Sequence, residues 1–153
     1  MRKMMWSVVV VAVVGICASV LTAVPQVRNK SSKRIIYPPE FRANRPYSPG
    51  VLVNGTLYVS GQIGTDLKSG ELAKTFEGQV RQTLDNIGLI LKAADMDFGD
   101  VVAANVYLTD AALFAEMNAV YTQYFTSDRP ARATVQTGLV GPAKIEISIV
   151  AHK

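Results

Sequence analysis

Asn54-Gly55 sits between two apolar runs, Val51-Leu52-Val53 and Thr56-Leu57-Tyr58-Val59-Ser60. A two-residue connection of this kind needs positive φ at both central positions. Asparagine and glycine tolerate that, and together they select the tight type I′ turn of a hairpin. An antiparallel pair must then bury at least one face, so the helices available to cover it limit the fold. Two helices offer themselves. In Thr75 to Ala94, Phe76, Val80, Leu84, Ile87 and Leu91 recur at helical steps behind Thr75 as N-cap. A second helix is expected from Ala111 to Phe125, capped by Asp110. Its stripe is Leu113 or Phe114, Met117, Val120 or Tyr121, and Tyr124, and Ser127-Asp128-Arg129-Pro130 ends it.

Four more segments read as strands: Arg34 to Tyr37, Val101 to Leu108, Ala133 to Thr137 and Lys144 to Ala151. Gly61 to Gly70, Asp95 to Asp100 and Gly138 to Ala143 read as loops and turns. The order β-β-β-α-β-α-β-β predicts an α+β fold, a mixed sheet with two helices on one face. The uncovered face must meet solvent or another subunit. Ile145, Ile147 and Ile149 alternate with Glu146 and Ser148, so both faces of the last strand are used. A core built from only ~115 residues is modest, and oligomerisation would add to it.

The N-terminus differs in kind from the rest. Arg2 and Lys3 precede an apolar run from Met4 to Val24 that is long enough to cross a bilayer. Residues 1–24 are therefore expected to be a signal peptide or a transmembrane anchor, residues 25–34 a basic linker, and residues 35–153 the folded domain. Export to the periplasm or exterior, or membrane attachment through residues 4–24, follows from that reading. All the excess positive charge lies here: residues 1–34 hold six Lys/Arg and no acid, leaving ten Lys/Arg against twelve Asp/Glu in residues 35–153. A domain of that balance lacks the basic stripe that neutralises phosphates, so a nucleic-acid partner is not expected. The one cysteine, Cys17, is in the leader, and the one histidine, His152, is next to the C-terminus. Thiol nucleophiles, Ser-His pairs and zinc sites are thereby disfavoured. Asp95, Asp97 and Asp100 lack the glycine-centred calcium-loop pattern and read as a solvated turn.

The residues that invite chemistry are few. Glu146 stands inside an alternating apolar strand, where a lone carboxylate is costly unless it is paired or used. It reads either as a general acid/base or water-positioning group tuned by burial, or as an exposed-face residue of an edge strand. Arg132, on what reads as the neighbouring strand, is the candidate to share its site. It is either a bidentate clamp for a carboxylate or an ion-pairing surface arginine. Tyr47, between Pro46 and Pro49, would present its hydroxyl to a ligand or act as a packing lid. Ser60-Gly61-Gln62 ends a strand at a glycine, where backbone can approach a ligand. Asn118 is an asparagine in a helix, facing either a ligand or solvent.

Pro46-Tyr47-Ser48, Tyr58-Val59-Ser60-Gly61-Gln62-Ile63-Gly64, Leu84-Asp85-Asn86-Ile87, Met117-Asn118-Ala119-Val120-Tyr121, Arg129-Pro130-Ala131-Arg132 and Ile145-Glu146-Ile147 occur in this order. The set resembles the RidA (YjgF) family over about residues 35–152. The resemblance implies a chorismate-mutase-like fold, a homotrimer with sites in the clefts between subunits, and no metal or cofactor. It also implies hydrolysis of small 2-imino or enamine acids, such as 2-iminopropanoate and 2-iminobutanoate, to 2-oxo acids and ammonia. Carried over residue by residue, Arg132 would grip the substrate carboxylate, Glu146 would position or activate water, and Tyr47 would close over the substrate. Ser60, Gly61 and Asn118 would line the cleft, with Thr134 where bacterial relatives often have cysteine. Further departures are Arg45 in place of the usual glycine before Pro-Tyr, Ser148 in place of a second glutamate, a slightly shortened connection from Gly138 to Ala143, and the leader, which lies outside the resemblance. A non-catalytic small-carboxylate-binding module of the same fold is the alternative. Ribonuclease activity, attached to some relatives, runs against the charge of the domain.

Overall fold

The computed structural model describes residues 32–153. Six strands form one sheet: β1 (Arg34–Ile36), β2 (Gly50–Val53), β3 (Thr56–Ile63), β4 (Val101–Leu108), β5 (Ala131–Gln136) and β6 (Ile145–His152). Their spatial order is β1-β2-β3-β6-β4-β5, antiparallel throughout except for the parallel pair β4–β5. Two helices, α1 (Phe76–Ala93) and α2 (Phe114–Tyr124), connect β3 to β4 and β4 to β5. The α+β architecture and the element order expected from the sequence are those found.

The hairpin turns where the dipeptide requires it. Val53 pairs with Thr56, and Asn54 and Gly55 have φ of 49° and 78°. Thr75 caps α1, its Oγ1 accepting from the Gly78 N–H at 3.1 Å. Asp110 caps a short 3-10 turn, Ala111–Leu113, that leads into α2. Asp97 and Asp100 form a reciprocal capping box around the turn Phe98–Asp100, which accounts for this acidic cluster without a ligand. Three boundaries differ from expectation by more than one residue. β3 continues three residues past Ser60, β5 begins at Ala131 and so includes Arg132, and α2 starts only at Phe114. In the first two cases pairing with a neighbouring strand carries a Gly- or Pro-flanked segment that looks like loop in isolation.

The core lies between one sheet face and the two helices. Leu57 and Val59 of β3, Ala104, Val106 and Leu108 of β4, and Ile145, Ile147 and Ile149 of β6 are all buried. They meet Val80, Leu84, Ile87 and Leu91 of α1 and Met117, Val120 and Tyr121 of α2. Gly64 lets α1 approach β3. A Cβ there would lie 2.4 Å from the Cα and 2.6 Å from the carbonyl oxygen of Gln79. The opposite face carries Tyr58, Glu146, Ser148 and Val135 and is open in the monomer, with Tyr58 53% exposed.

The reading of a signal peptide or transmembrane helix over residues 4–24, and of export or membrane contact through it, is corrected. Among the described residues no helix is long and apolar enough to cross a membrane, and residues 1–31 lie outside the described residues. The membrane reading rested on a local pattern, Arg2 and Lys3 followed by the apolar run from Met4 to Val24.

Candidate functional site

The expectation that Arg132 stands on the strand next to that of Glu146 is also corrected. β5 and β6 are not neighbours, because β4 lies between them. Arg132 is in register with Ala104 and, across β4, with Ile149, both buried beneath the helices. Glu146 is in register with Tyr107 and Ile63, between the buried Ile145 and Ile147. Side chains alternate along a strand, so the two residues project from opposite faces of the sheet.

The predicted residues therefore fall into two groups. The first is on the open face. Tyr47, Ser60, Gly61 and Glu146 line one cleft of about 290 Å³. A β-bulge makes it. Val59 pairs with Ile149 and Gln62 with Ile147, so Ser60 and Gly61 together oppose Ser148. The bulge is fastened from within. The Gln62 side-chain amide donates to the Ser60 carbonyl at 3.0 Å, to Ser60 Oγ at 3.0 Å and to the Gly61 carbonyl at 3.2 Å. The Ser60 hydroxyl and backbone N–H both donate to the Pro49 carbonyl, at 3.2 and 3.0 Å. Gly61 has a specific reason to be glycine. A Cβ there would lie 2.0 Å from Glu146 Oε1, so the carboxylate occupies the space a side chain would take. Tyr47 is 47% exposed at the rim, and its hydroxyl accepts from Arg45 Nη1 at 3.0 Å.

The second group is at the free edge of β5, on the helix side. Arg132 and Asn118 line a cavity of about 430 Å³ with Tyr121, Thr122, Arg129 and Pro130. The Arg132 guanidinium lies 4.6 Å from the Tyr121 ring centroid and 5.7 Å from that of Phe114. The only ion pair among the described residues is Arg81–Glu77, so aromatic faces rather than an acid hold this cation, and its Nη1 donates weakly to Met117 Sδ at 4.0 Å. Burial raises the pKa of the Tyr121 phenol, opposed by the charge of Arg132. Thr134, two residues along the same strand face, lines an adjoining cavity of about 310 Å³ with Phe114. The Thr134 and Tyr121 hydroxyls are buried without a hydrogen-bond partner among the described residues. Buried hydroxyls are seldom left so.

Two contributors escaped the sequence reading. Gln62 was legible only as part of a motif, and its role in fastening the bulge depends on which face it takes after the extra residue. The Arg45–Tyr47 contact carries no periodic signal.

The family profile described as Endoribonuclease L-PSP matches residues 38–153, and the chain belongs to this family, that of RidA and YjgF. A 2-iminobutanoate/2-iminopropanoate deaminase of Bos taurus is 47% identical over 108 residues, spanning 69% of this chain and 79% of the relative. A RutC family protein of Sulfurisphaera tokodaii is 44% identical over 110 residues, spanning 71% of this chain and 88% of the relative. Among solved structures, RidA from an Antarctic Psychrobacter superimposes with a TM-score of 0.74 at 36% identity, covering 78% of this chain and 100% of that one.

Proposed function

We propose that this chain is a hydrolase of small 2-imino acids, acting as a homotrimer whose sites are each completed by two subunits. The observation that carries this reading is the complementary division of polar groups just described. One group holds an acid, a hydroxyl and a backbone bulge around an open cleft, and the other holds an arginine without an acidic partner. An acid alone cannot hold a carboxylate substrate, and an arginine alone cannot move protons on it. Packing the β5 edge of one subunit over the open face of the next brings the two groups together. The exposed Tyr58, Val102 and Val135 supply apolar surface for that contact.

In the assembled site, Arg132 binds the substrate carboxylate through its fork, while Asn118 and Thr134 line that end. Water attacks C2 of the protonated imine, and the C=N π pair moves to nitrogen. Glu146 takes a proton from the water and passes it to the amine of the tetrahedral intermediate. Glu146 then takes the remaining hydroxyl proton as the C–N bond breaks, giving the 2-oxo acid and ammonia, which carries the proton away as ammonium, and Tyr47 shields the site at the rim. The deaminase name of the bovine relative supports this choice of substrate.

The test is loss of freshly generated 2-iminopropanoate and 2-iminobutanoate in the presence of the full chain, read by semicarbazone formation. Replacing Glu146→Gln is expected to lower hydrolysis by about 10²–10⁴-fold, the usual contribution of a general acid/base, while binding of 2-oxobutanoate survives. Arg132→Ala is expected to abolish saturation by 2-iminopropanoate. A folded assembly that accelerates neither imine overturns the reading in favour of a carboxylate-binding module.

A further inference from the structure

We propose that Arg45 selects 2-imino acids bearing a second carboxylate on a short side chain, the 2-iminosuccinate and 2-iminoglutarate class; this rests on the imine-hydrolase reading above. Arg45 is held on both sides of its backbone. Asn44 before it has φ of 70°, and Pro46 after it fixes its own φ. The guanidinium lies 5.5 Å from the ring centroid of the buried Phe41 and 5.8 Å from that of Tyr47. One N–H goes to the Tyr47 hydroxyl at 3.0 Å. The Arg81–Glu77 pair is the only one among the described residues, so no carboxylate there neutralises Arg45.

The donors left over border a cavity of about 100 Å³ lined also by Gln62, Thr65 and Asn86. The other amides of that cavity are already engaged. Gln62 Nε2 is spent on Ser60 and Gly61, and Asn86 Nδ2 donates to the carbonyls of Ile63 at 3.2 Å and Thr65 at 2.9 Å. Arg45 is thus the charged donor of this space. Tyr47 and Gly61 line both this cavity and the cleft of Glu146, so the two are contiguous. A substrate with its C1 carboxylate on Arg132 and its imine carbon at Glu146 has one remaining substituent, the side chain. The adjoining cavity is small, with an apolar wall from Ile63 and Leu67 that suits a short methylene chain and the Arg45 cation at its border. A methyl or ethyl group leaves the guanidinium fork unfilled, whereas a short chain ending in carboxylate meets it with two parallel N–H···O bonds.

The experiment compares kcat/KM for 2-iminoglutarate and 2-iminopropanoate, each generated in the assay by an amino-acid oxidase, in the wild-type full chain, Arg45→Gly and Arg45→Gln. The glutamine variant keeps a long polar side chain and removes the charge, and serves if the glycine variant fails to assemble. The dicarboxylate-to-monocarboxylate ratio is expected to fall about tenfold in either variant, the size of one charge-assisted contact. An unchanged ratio, or equal losses for both substrates, overturns the proposal and leaves Arg45 as a support for Tyr47 only. Calorimetry with 2-oxoglutarate and 2-oxobutanoate reads the same preference without turnover. If no imine is hydrolysed but 2-oxoglutarate binds more tightly through Arg45, the hydrolase reading fails and the dicarboxylate preference stands. If imines are hydrolysed and the ratio ignores Arg45, the preference alone fails.

Discussion

Gly61 and Glu146 are one design seen from two strands. The carboxylate lies where a Cβ at position 61 would be, with Oε1 2.0 Å from that point. The obstructing atoms belong to the flexible end of a side chain, so Gly61→Ala should fold and assemble while pushing the carboxylate aside. A misplacement of that kind is expected to cost about 10²-fold in imine hydrolysis with little change in melting temperature. Parallel thermal melts and kinetics check this, and a variant that keeps full activity would show that the carboxylate position is unimportant. The sequence pointed to Glu146 through its violation of an apolar alternation. It gave no reason for glycine at 61 beyond backbone approach, because the reason is a side chain arriving from β6.

At the level of elements, two contacts fix how α1 and α2 sit. Gly64 differs from Gly61 in what a Cβ would meet, namely Gln79 backbone at 2.4 and 2.6 Å. A helix cannot yield there without losing its seat on β3, so Gly64→Ala is expected to cost about 1–3 kcal/mol and lower the melting temperature visibly. Between the helices, the Tyr124 hydroxyl donates to Asp85 Oδ1 at 2.7 Å, and its ring meets Phe98 edge-on at 5.4 Å. Burial, then the hydrogen bond and charge of Asp85, push the Tyr124 phenol from 10.0 up to about 12. A pKa raised on folding means that the folded state holds the proton more tightly. This contribution to stability is therefore complete below the unfolded value near 10 and is lost as pH rises through about 12. Denaturant melts across that range should show wild-type stability falling more steeply than that of Tyr124→Phe. The helix stripe marked Tyr124 only as a packing residue, since its partner Asp85 is on the other helix.

The whole molecule places the arginine and the acid on opposite faces of one sheet. If neighbouring subunits complete each site, Arg132→Ala and Glu146→Gln chains should complement one another. Each inactive assembly alone stays inactive, whereas co-refolding equal amounts should restore about a quarter of wild-type sites by random mixing on a closed ring. Activity of mixed samples after refolding, against the two variants refolded apart, is the measurement. Absence of recovery in mixed assemblies of verified composition would place the two functional groups in one subunit's site and sink the shared-site reading.

Local rules determined much of this protein from sequence alone. The Asn54-Gly55 turn, the Thr75 and Asp110 caps, the α1 stripe and the alternation of β6 depend on residues close together in the chain, and each is where those residues demand. The motifs likewise sufficed for the family. Tertiary structure alone decided that β6 inserts between β3 and β4 and that β5 takes the edge. Strand order is set by which faces the two helices bury together, a non-local packing choice with no periodic signature. That choice separates Arg132 from Glu146, leaves one sheet face uncovered, and brings Arg45 against the cavity beside the bulge.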